Sequence, residues 1–454
     1  MRLSLIAGIV CLAGVVHAAE PVKMADPKDL QVLQGFLQNV AKLPAAVSPE
    51  YCRKVAAEET ESYAWVILPQ LRMPLTAYRM TGDANHLDVF VRVFENMRTA
   101  LTKGRDGDLD WHGKALPNYQ DPNDKDKPVP VEVNTFRTAE VLCGFAEVVA
   151  ADAELTKKYG GRSAEYVRFA EDLVGKWQAW GNFVDLGKGG AVYRTYSGLR
   201  AEKAHLTQPH NKQSIPVEAL LALYRVTGKD EYMRKAIQVG TRFKHCLTLK
   251  DGHYEWNYWD PAGAWDVSTV ERTKWKMWIG VEHTGSYYSL SLTHAVELYQ
   301  HGVVFERTDI ERFLKTQLEK CWNGDTVNPK WARVDGSTSE QYMKGDYICP
   351  ALAPYSEKVA AFLYTGPRLE DRLKNVTSPW QGGPVLSGWL TGKWIDLPAV
   401  KADPQPYLAF GKKFLQKKEN QEFARSLEFQ VTGSGYAAPR APADMKSMPP
   451  EPRQ

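Results

Sequence analysis

The stretch Ala77-Tyr78-Arg79-Met80-Thr81-Gly82 recurs further along the chain as Leu223-Tyr224-Arg225-Val226-Thr227-Gly228, and a shorter copy reads Phe362-Leu363-Tyr364-Thr365-Gly366. Each copy is a helix-forming run that ends in Thr-Gly. Glycine readily adopts the left-handed backbone conformation that closes many helices, so Gly82 and Gly228 are predicted helix ends. A recurring unit of this kind predicts a fold built from similar helical hairpins.

The sequence around these copies extends the unit. In the first two copies an amphipathic stretch follows, then an Asp-Gly turn (Asp106-Gly107 and Asp251-Gly252) and soon afterwards a tryptophan (Trp111 and Trp256). Apolar residues after the first copy share one helical face: Leu87, Val91, Phe94, Met97 and Leu101. We predict further hairpins near 131–181, 284–322 and 346–374, and long loops at 104–130, 183–209 and 250–280. The predicted fold is an all-α (α/α) toroid of about five to seven hairpins, with long loops on one face.

The ends of the chain differ from this body. Arg2 precedes an apolar run that ends at Val16, followed by His17-Ala18. A positive start, a short apolar core and a small residue at the cleavage site indicate a signal peptide over 1–18, and therefore a secreted or periplasmic protein. Residues 19–436 are predicted to form one catalytic domain. Residues 437–454, rich in Pro and Ala, are predicted to be a disordered tail. No later segment is apolar enough to predict a membrane span.

Composition narrows the possible functions. Lys+Arg total 57 and Asp+Glu 54, which excludes a generally basic nucleic-acid binder. The cysteines beyond the predicted signal peptide are scattered and odd in number, and one disulfide stays open as a possibility. No CxxC or HExxH motif occurs, and we interpret the run from Asp106 to Asp110 as a turn. The sequence therefore predicts neither a metal site nor a cofactor, and we expect a monomer.

Polar residues gather where the inner helices are predicted to start. Helix starts carry unpaired N–H groups and the positive end of the helix dipole, so a face on which they gather suits an acidic ligand. An aromatic loop over 255–260 lies between two of these starts. The four helix-start segments cover 130–137, 208–213, 281–288 and 346–350.

These residue types match the needs of β-elimination on a uronic-acid polymer. The substrate carboxylate must be neutralised, a base must remove the C5 proton, and an acid must protonate the leaving oxygen. Amide, imidazole and guanidinium groups suit the first role, and tyrosine or histidine suits the others. The catalytic candidates are Tyr288, Tyr287, His283, His210 and Asn211. The substrate-binding candidates are Asn134, Arg137, Gln213, Trp256 and Tyr258.

An exported toroid of helical hairpins with His210-Asn211 at one inner-helix start and His283 followed by Tyr287-Tyr288 at another resembles the toroid polysaccharide lyases of the alginate and glucuronan lyase type. Within that group it is most similar to polysaccharide lyase family 38. The resemblance covers about residues 50–400. It implies metal-independent elimination on an anionic polysaccharide, with a tyrosine as acid or base and Asn, His or Arg as carboxylate neutralisers.

Other functions remain open on the same architecture. A glycoside hydrolase would need two carboxyl groups across the cleft. A non-catalytic glycan-binding protein would bind without turnover, and a C5-epimerase would share only the first half of the elimination. The carboxyl candidates for a hydrolase are Glu132, Glu218, Asp260, Asp266, Glu282 and Asp346.

Overall fold

The computed structural model describes residues 21–58, 61–104, 107–124, 127–338, 348–365 and 382–427. The predicted signal peptide, the predicted tail, Asp106, Asp346 and Gly366 lie outside these ranges. Within them the chain is mostly helical, which confirms the predicted all-α class. None of the described helices is both long enough and apolar enough to cross a bilayer.

The helices follow one another as hairpins. In chain order they are α1 (Pro27–Ala46), α2 (Pro49–Ala57), α3 (Leu68–Thr81), α4 (Asn85–Arg98), α5 (Glu132–Ala150), α6 (Ala153–Ala179), α7 (His210–Thr227), α8 (Asp230–His245), α9 (Ser286–Gln300), α10 (Arg307–Lys315), α11 (Glu357–Tyr364), α12 (Gly382–Thr391), α13 (Leu397–Ala402), α14 (Leu408–Leu415) and α15 (Lys418–Ser426). Short π-helical segments cover Tyr63–Ile67, Thr316–Cys321 and Gly392–Asp396, and 3₁₀ segments cover Gly187–Gly189, Ala264–Asp266 and Pro350–Tyr355.

The inner helices form a closed ring. Helix α3 packs on α5, α5 on α7, α7 on α9, and α9 on the segment Pro350–Tyr355 that leads into α11. Helix α12 returns to α3, where the Thr76 hydroxyl lies 2.8 Å from that of Ser387 and 3.0 Å from that of Thr391. Helices α4, α6, α8 and α10 form the outer layer, and α1 contacts both α4 and α12. Ala64 before α3 contacts Asn134 in the first turn of α5, and Gln208 before α7 contacts Glu132 at the start of α5, so these three inner helices begin at one end of the ring.

The two full copies of the repeat adopt the same local structure. Gly82 (φ 70°) and Gly228 (φ 66°) close α3 and α7 in the left-handed conformation, and each N–H donates to the carbonyl four residues earlier. The preceding hydroxyls, of Thr81 and Thr227, donate to the carbonyls of Ala77 and Leu223 at 2.8 and 2.7 Å. The repeat is thus a true structural unit, and the predicted helix ends are confirmed.

Short hairpins occupy the predicted long loops. The strands are β1 (Thr102–Lys103), β2 (Leu109–Asp110), β3 (Gly113–Lys114), β4 (Pro128–Val129), β5 (Phe183–Asp185), β6 (Ala191–Tyr193), β7 (Thr248–Lys250) and β8 (His253–Glu255), and they form antiparallel pairs in sequence order. The tryptophan after the β1–β2 hairpin, Trp111, stacks on Tyr63 with ring centroids 4.9 Å apart. Trp256, which follows β7–β8, stacks on Tyr288 at 5.6 Å. The β1–β2 and β7–β8 hairpins are therefore held, through these two tryptophans, against residues just before α3 and in the first turn of α9.

Candidate functional site

A group of buried charges lies where α3, α5 and α7 begin. Lys212, in the first turn of α7, forms an ion pair with Glu61, which precedes α3. Glu132, the first residue of α5, accepts a hydrogen bond from the Gln208 side-chain amide. The Lys212 ammonium also lies 6.0 Å from the ring centroid of Tyr119. We call Glu61, Tyr119, Glu132, Gln208 and Lys212 the helix-start cluster.

Burial sets the protonation states in this cluster. Desolvation raises the pKa of Glu132 to about 7, although the nearby Lys212 opposes the shift and Glu61 adds to it. Burial alone would lower the pKa of Lys212, but Glu61 and Glu132 outweigh it and hold the pKa above its ordinary value. Burial also raises the pKa of Tyr119. Near neutral pH, one carboxyl of the cluster is half protonated while Lys212 stays charged beside the other.

The cavity at this cluster is small. Its volume is about 20 Å³, and its lining includes Glu61, Tyr119, Glu132 and Lys212 together with Leu199. That volume is close to the minimum for one water molecule and too small for a sugar ring. A larger ligand would therefore require the covering segments that carry Tyr119 and Leu199 to move.

His210 begins α7 with its ring directed away from bulk solvent. Its Nε2 lies 2.9 Å from Asp260 Oδ2, and Asn257 donates to Asp260 Oδ1 at 2.8 Å. Burial would raise the pKa of Asp260, but these two hydrogen bonds outweigh it and lower the pKa. His210 is thus held by a charged carboxylate, as a base or a ligand would be.

The next residue, Asn211, is fully buried, and neither its amide nitrogen nor its amide oxygen finds a hydrogen-bond partner among the described residues. Gln213 on the same helix is satisfied, since its side chain both donates to and accepts from the backbone of Tyr193 at 2.8 Å. A buried amide without partners is costly. The side-chain amide of Asn211, unlike that of Gln213, is therefore available to contact a ligand.

The two candidates on α5 lie close to the start of α3. Asn134 Oδ1 accepts from the Ala64 backbone N–H at 2.8 Å. The Arg137 guanidinium lies over the Trp65 ring, 5.0 Å from its centroid, and burial lowers the Arg137 pKa. Both side chains therefore join α5 to the segment before α3.

The two adjacent tyrosines of α9 lie in different surroundings. Tyr288 is fully buried against Trp256, and its hydroxyl donates to Gln317 Oε1 at 3.2 Å. Burial raises its pKa well above the ordinary value. Tyr287 is 48% exposed, with its ring 5.9 Å from that of Tyr258. The exposed tyrosine, rather than the buried one, can meet a dissolved ligand.

His283 and Glu282 lie just before α9. His283 Nδ1 accepts from Arg333 Nε at 3.2 Å, and burial together with the Arg333 charge lowers its pKa. Glu282 accepts from the His283 backbone N–H at 3.0 Å, while its other oxygen has no partner among the described residues. Burial raises the Glu282 pKa to about 8.

Two other carboxyl candidates, Asp266 and Glu218, lie in different surroundings. Asp266 accepts hydrogen bonds from Thr207, Ala262 and Gly263, as a loop-stabilising residue does. Glu218 lies in the middle of α7, where burial raises its pKa to about 8 and Arg137 opposes the shift. Neither belongs to the helix-start cluster, and among the described residues Glu132 is the one carboxyl candidate that does.

Sequence reasoning missed Glu61, Tyr119 and Lys212. Glu61 could have been found, because it is a polar residue just before the helical run that starts at Tyr63 and continues as α3, the same signal that indicated the other helix starts. Lys212 lies inside the predicted helix-start segment 208–213 but was not among the predicted site residues. Tyr119 lies in a long loop, and only the folded structure brings it to Lys212.

Comparisons with known proteins give one distant likeness to report. No family model matches the chain, and no curated protein matches it. Among solved structures, an inactive variant of an α-1,6-mannanase from a Salegentibacter species, in complex with α-1,6-mannotriose, matches at 14% identity and a TM-score of 0.45. The match covers 84% of this chain and 99% of that one. A likeness this distant transfers no activity.

The polysaccharide-lyase prediction is wrong. No family model matches the chain, and the solved structure described above is a glycoside hydrolase and not a polysaccharide lyase, so neither the resemblance to polysaccharide lyase family 38 nor the β-elimination of alginate or glucuronan is supported. The chain itself supplies a physical reason. A tyrosine that acts as base needs a lowered pKa and access to substrate, whereas burial raises the pKa of Tyr288 and removes its hydroxyl from solvent.

Proposed function

We propose that this chain is a glycoside hydrolase in which Glu132 is the general acid and Glu61 the second carboxylate. One observation carries the proposal: two carboxyl groups share a helix-start cluster, one with its pKa raised to about 7 and the other paired with Lys212. A glycoside hydrolase needs one protonated and one ionised carboxyl group at the same pH, and different surroundings are what give two carboxyl groups these different roles.

The chemistry follows from these states. After the segments that carry Tyr119 and Leu199 move to admit a sugar, protonated Glu132 gives its proton to the glycosidic oxygen as the bond to the anomeric carbon breaks. The Glu61 carboxylate either attacks that carbon or removes a proton from the water that attacks it. Lys212 forms an ion pair with Glu61 and places a positive charge beside this step. The exposed ring of Tyr287, beside Tyr258, offers a face for a neighbouring sugar.

The test is the release of new reducing ends by the purified protein from a panel of glycans, namely α-mannan, β-glucan, alginate and glucuronan. On the glycan that is cleaved, Glu132→Gln and Glu61→Gln should each lower kcat/KM by about 10²–10⁴-fold. Glu58→Gln is the matched control, because Glu58 is exposed and lies three residues from Glu61.

The pH profile gives a second, independent check. Because Glu132 must be protonated to act, kcat/KM should fall as the pH rises above about 7, the pKa to which burial raises this carboxyl. Full activity in both glutamine variants would refute the assignment. Binding of a glycan without any new reducing ends would favour a non-catalytic glycan-binding protein.

A further inference from the structure

Three donors of different chemistry meet inside the protein next to the helix-start cluster. His210 Nε2, Cys246 Sγ and an Asp260 carboxylate oxygen all lie within 4.8 Å of one another. Their residues are 4%, 3% and 2% exposed. No other group of His, Cys, Asp and Glu donors in the described ranges meets this spacing. The three come from separate parts of the fold: the start of α7, the end of α8, and the loop after β8.

We propose that His210, Cys246 and Asp260 bind one Zn²⁺ ion. Imidazole, thiolate and carboxylate are the three side-chain donors that zinc takes in proteins, and a mixed nitrogen–sulfur–oxygen set suits it better than it suits calcium or magnesium. The sequence did not predict this metal site, because the three residues lie too far apart along the chain to form a recognisable motif. The proposal does not depend on the hydrolase assignment.

Zinc binding sets the protonation of the cysteine and histidine ligands. The Cys246 thiol loses its proton to solvent as the sulfur–zinc bond forms. The His210 Nε2 lone pair must face the metal, so a neutral imidazole carries its proton on Nδ1. Asp260 and the thiolate together offset the two positive charges of the ion. The fourth position takes a water molecule or the second Asp260 oxygen.

The surroundings already hold the ligands in place. Asn257 donates to Asp260 Oδ1 at 2.8 Å, the outer contact that usually orients a metal-binding carboxylate. The His210 backbone N–H donates to the Tyr258 carbonyl at 3.3 Å, which ties the ligand to the same loop. Arg242 anchors the loop from the other side through the Pro261 carbonyl at 2.8 Å. The 2.9 Å between His210 Nε2 and Asp260 Oδ2 is slightly short for two ligands of one zinc ion, so zinc would separate these two atoms and replace the hydrogen bond between them.

A metal here would join three segments that otherwise meet through the hydrogen bonds just described. The loop after β8 carries Trp256 and Tyr258, and α7 carries Lys212 and Asn211. Zinc would therefore hold the loop after β8 against α7, and removal of zinc should make that loop more mobile.

The experiment uses the full mature chain. Metal content is measured by mass spectrometry after dialysis against zinc and then buffer, and the protein stripped with a chelator is titrated with Zn²⁺ alone. We expect about one zinc per chain, a rise in Tm when zinc is returned, and a thiolate-to-metal charge-transfer band when Co²⁺ replaces zinc.

Matched variants identify the ligands. Cys246→Ser should abolish the cobalt charge-transfer band, whereas Cys349→Ser, which changes another buried cysteine, should keep it. Asn257→Leu should weaken zinc binding by about 10–100-fold through loss of the outer contact. Absence of zinc binding in the wild-type chain, or a charge-transfer band that survives Cys246→Ser, would overturn the proposal. Zinc binding is measured first on the wild-type protein, so the proposal can be tested even if a variant fails to fold.

Discussion

Glu282 should make the protein less stable as the pH rises, and Glu282→Gln should remove much of this effect. The side chain is 1% exposed, and burial raises its pKa from 4.5 to about 8. In the unfolded chain the carboxyl ionises near 4.5, whereas in the folded chain it keeps its proton up to about 8. The stability that protonated Glu282 contributes to the folded protein is therefore fully present below pH 4.5 and is lost progressively between pH 4.5 and 8.

The magnitude follows from the same two values. At about 1.4 kcal/mol per pH unit, a rise from 4.5 to about 8 corresponds to an upper limit of about 5 kcal/mol. Glutamine is close in shape to the protonated acid and can still accept from the His283 N–H. At pH 5 the variant should therefore differ little from the wild type, and at pH 9 it should be more stable by about 2–5 kcal/mol.

The assay is urea unfolding of the wild type and Glu282→Gln from pH 5 to pH 9, followed by circular dichroism. Glu319→Gln is the matched control, because Glu319 is exposed on the π-helical segment Thr316–Cys321. The control should show no such pH-dependent difference. A difference between the variant and the wild type that stays constant across this range would refute the reasoning, because it would mean that Glu282 titrates alike in both states.

Three further changes test the fold. Lys176→Met should cost about 3–5 kcal/mol, measured by urea unfolding, because it leaves the buried Asp110 side chain without its ion-pair partner. The double change with Asp110→Asn should recover part of the loss. Gly228→Ala should cost about 1–2 kcal/mol in the same assay, since φ is 66° there and no atom crowds the added carbon, so only backbone strain contributes. Tyr288→Phe should lower stability by about 1 kcal/mol through loss of the hydrogen bond to Gln317, and a much larger loss would show that the ring as well as the hydroxyl had been disturbed.

The hairpin architecture could be predicted because its signals are local. Thr-Gly at the ends of α3 and α7 needs only the residues of one turn, and both glycines adopt the predicted conformation. The strands could not be predicted, because each has only two or three residues and so shows no alternation. Helices α12 to α15 carry no clear copy of the repeat and were not predicted individually.

The site was only partly predictable, for a different reason. The rule that polar residues cluster at inner-helix starts selected Glu132 and His210, and both lie at helix starts. Which of the selected residues meet one another depends on packing between helices. Glu61 and Lys212 are 151 residues apart, and His210 and Asp260 are 50 apart. Contacts at such separations leave no pattern in a single sequence.

Closure of the ring has a consequence for how the chain is made. Thr76 on α3 meets Ser387 and Thr391 on α12, across 311 and 315 residues, and Lys393 forms an ion pair with Asp29 across 364. During synthesis, one side of α3 therefore stays without its neighbour until nearly the whole chain has emerged. Contacts between such distant parts are slow to form. A half-made chain is an open arc with two uncovered ends, and truncation before α12 should leave it prone to aggregate rather than merely shorter.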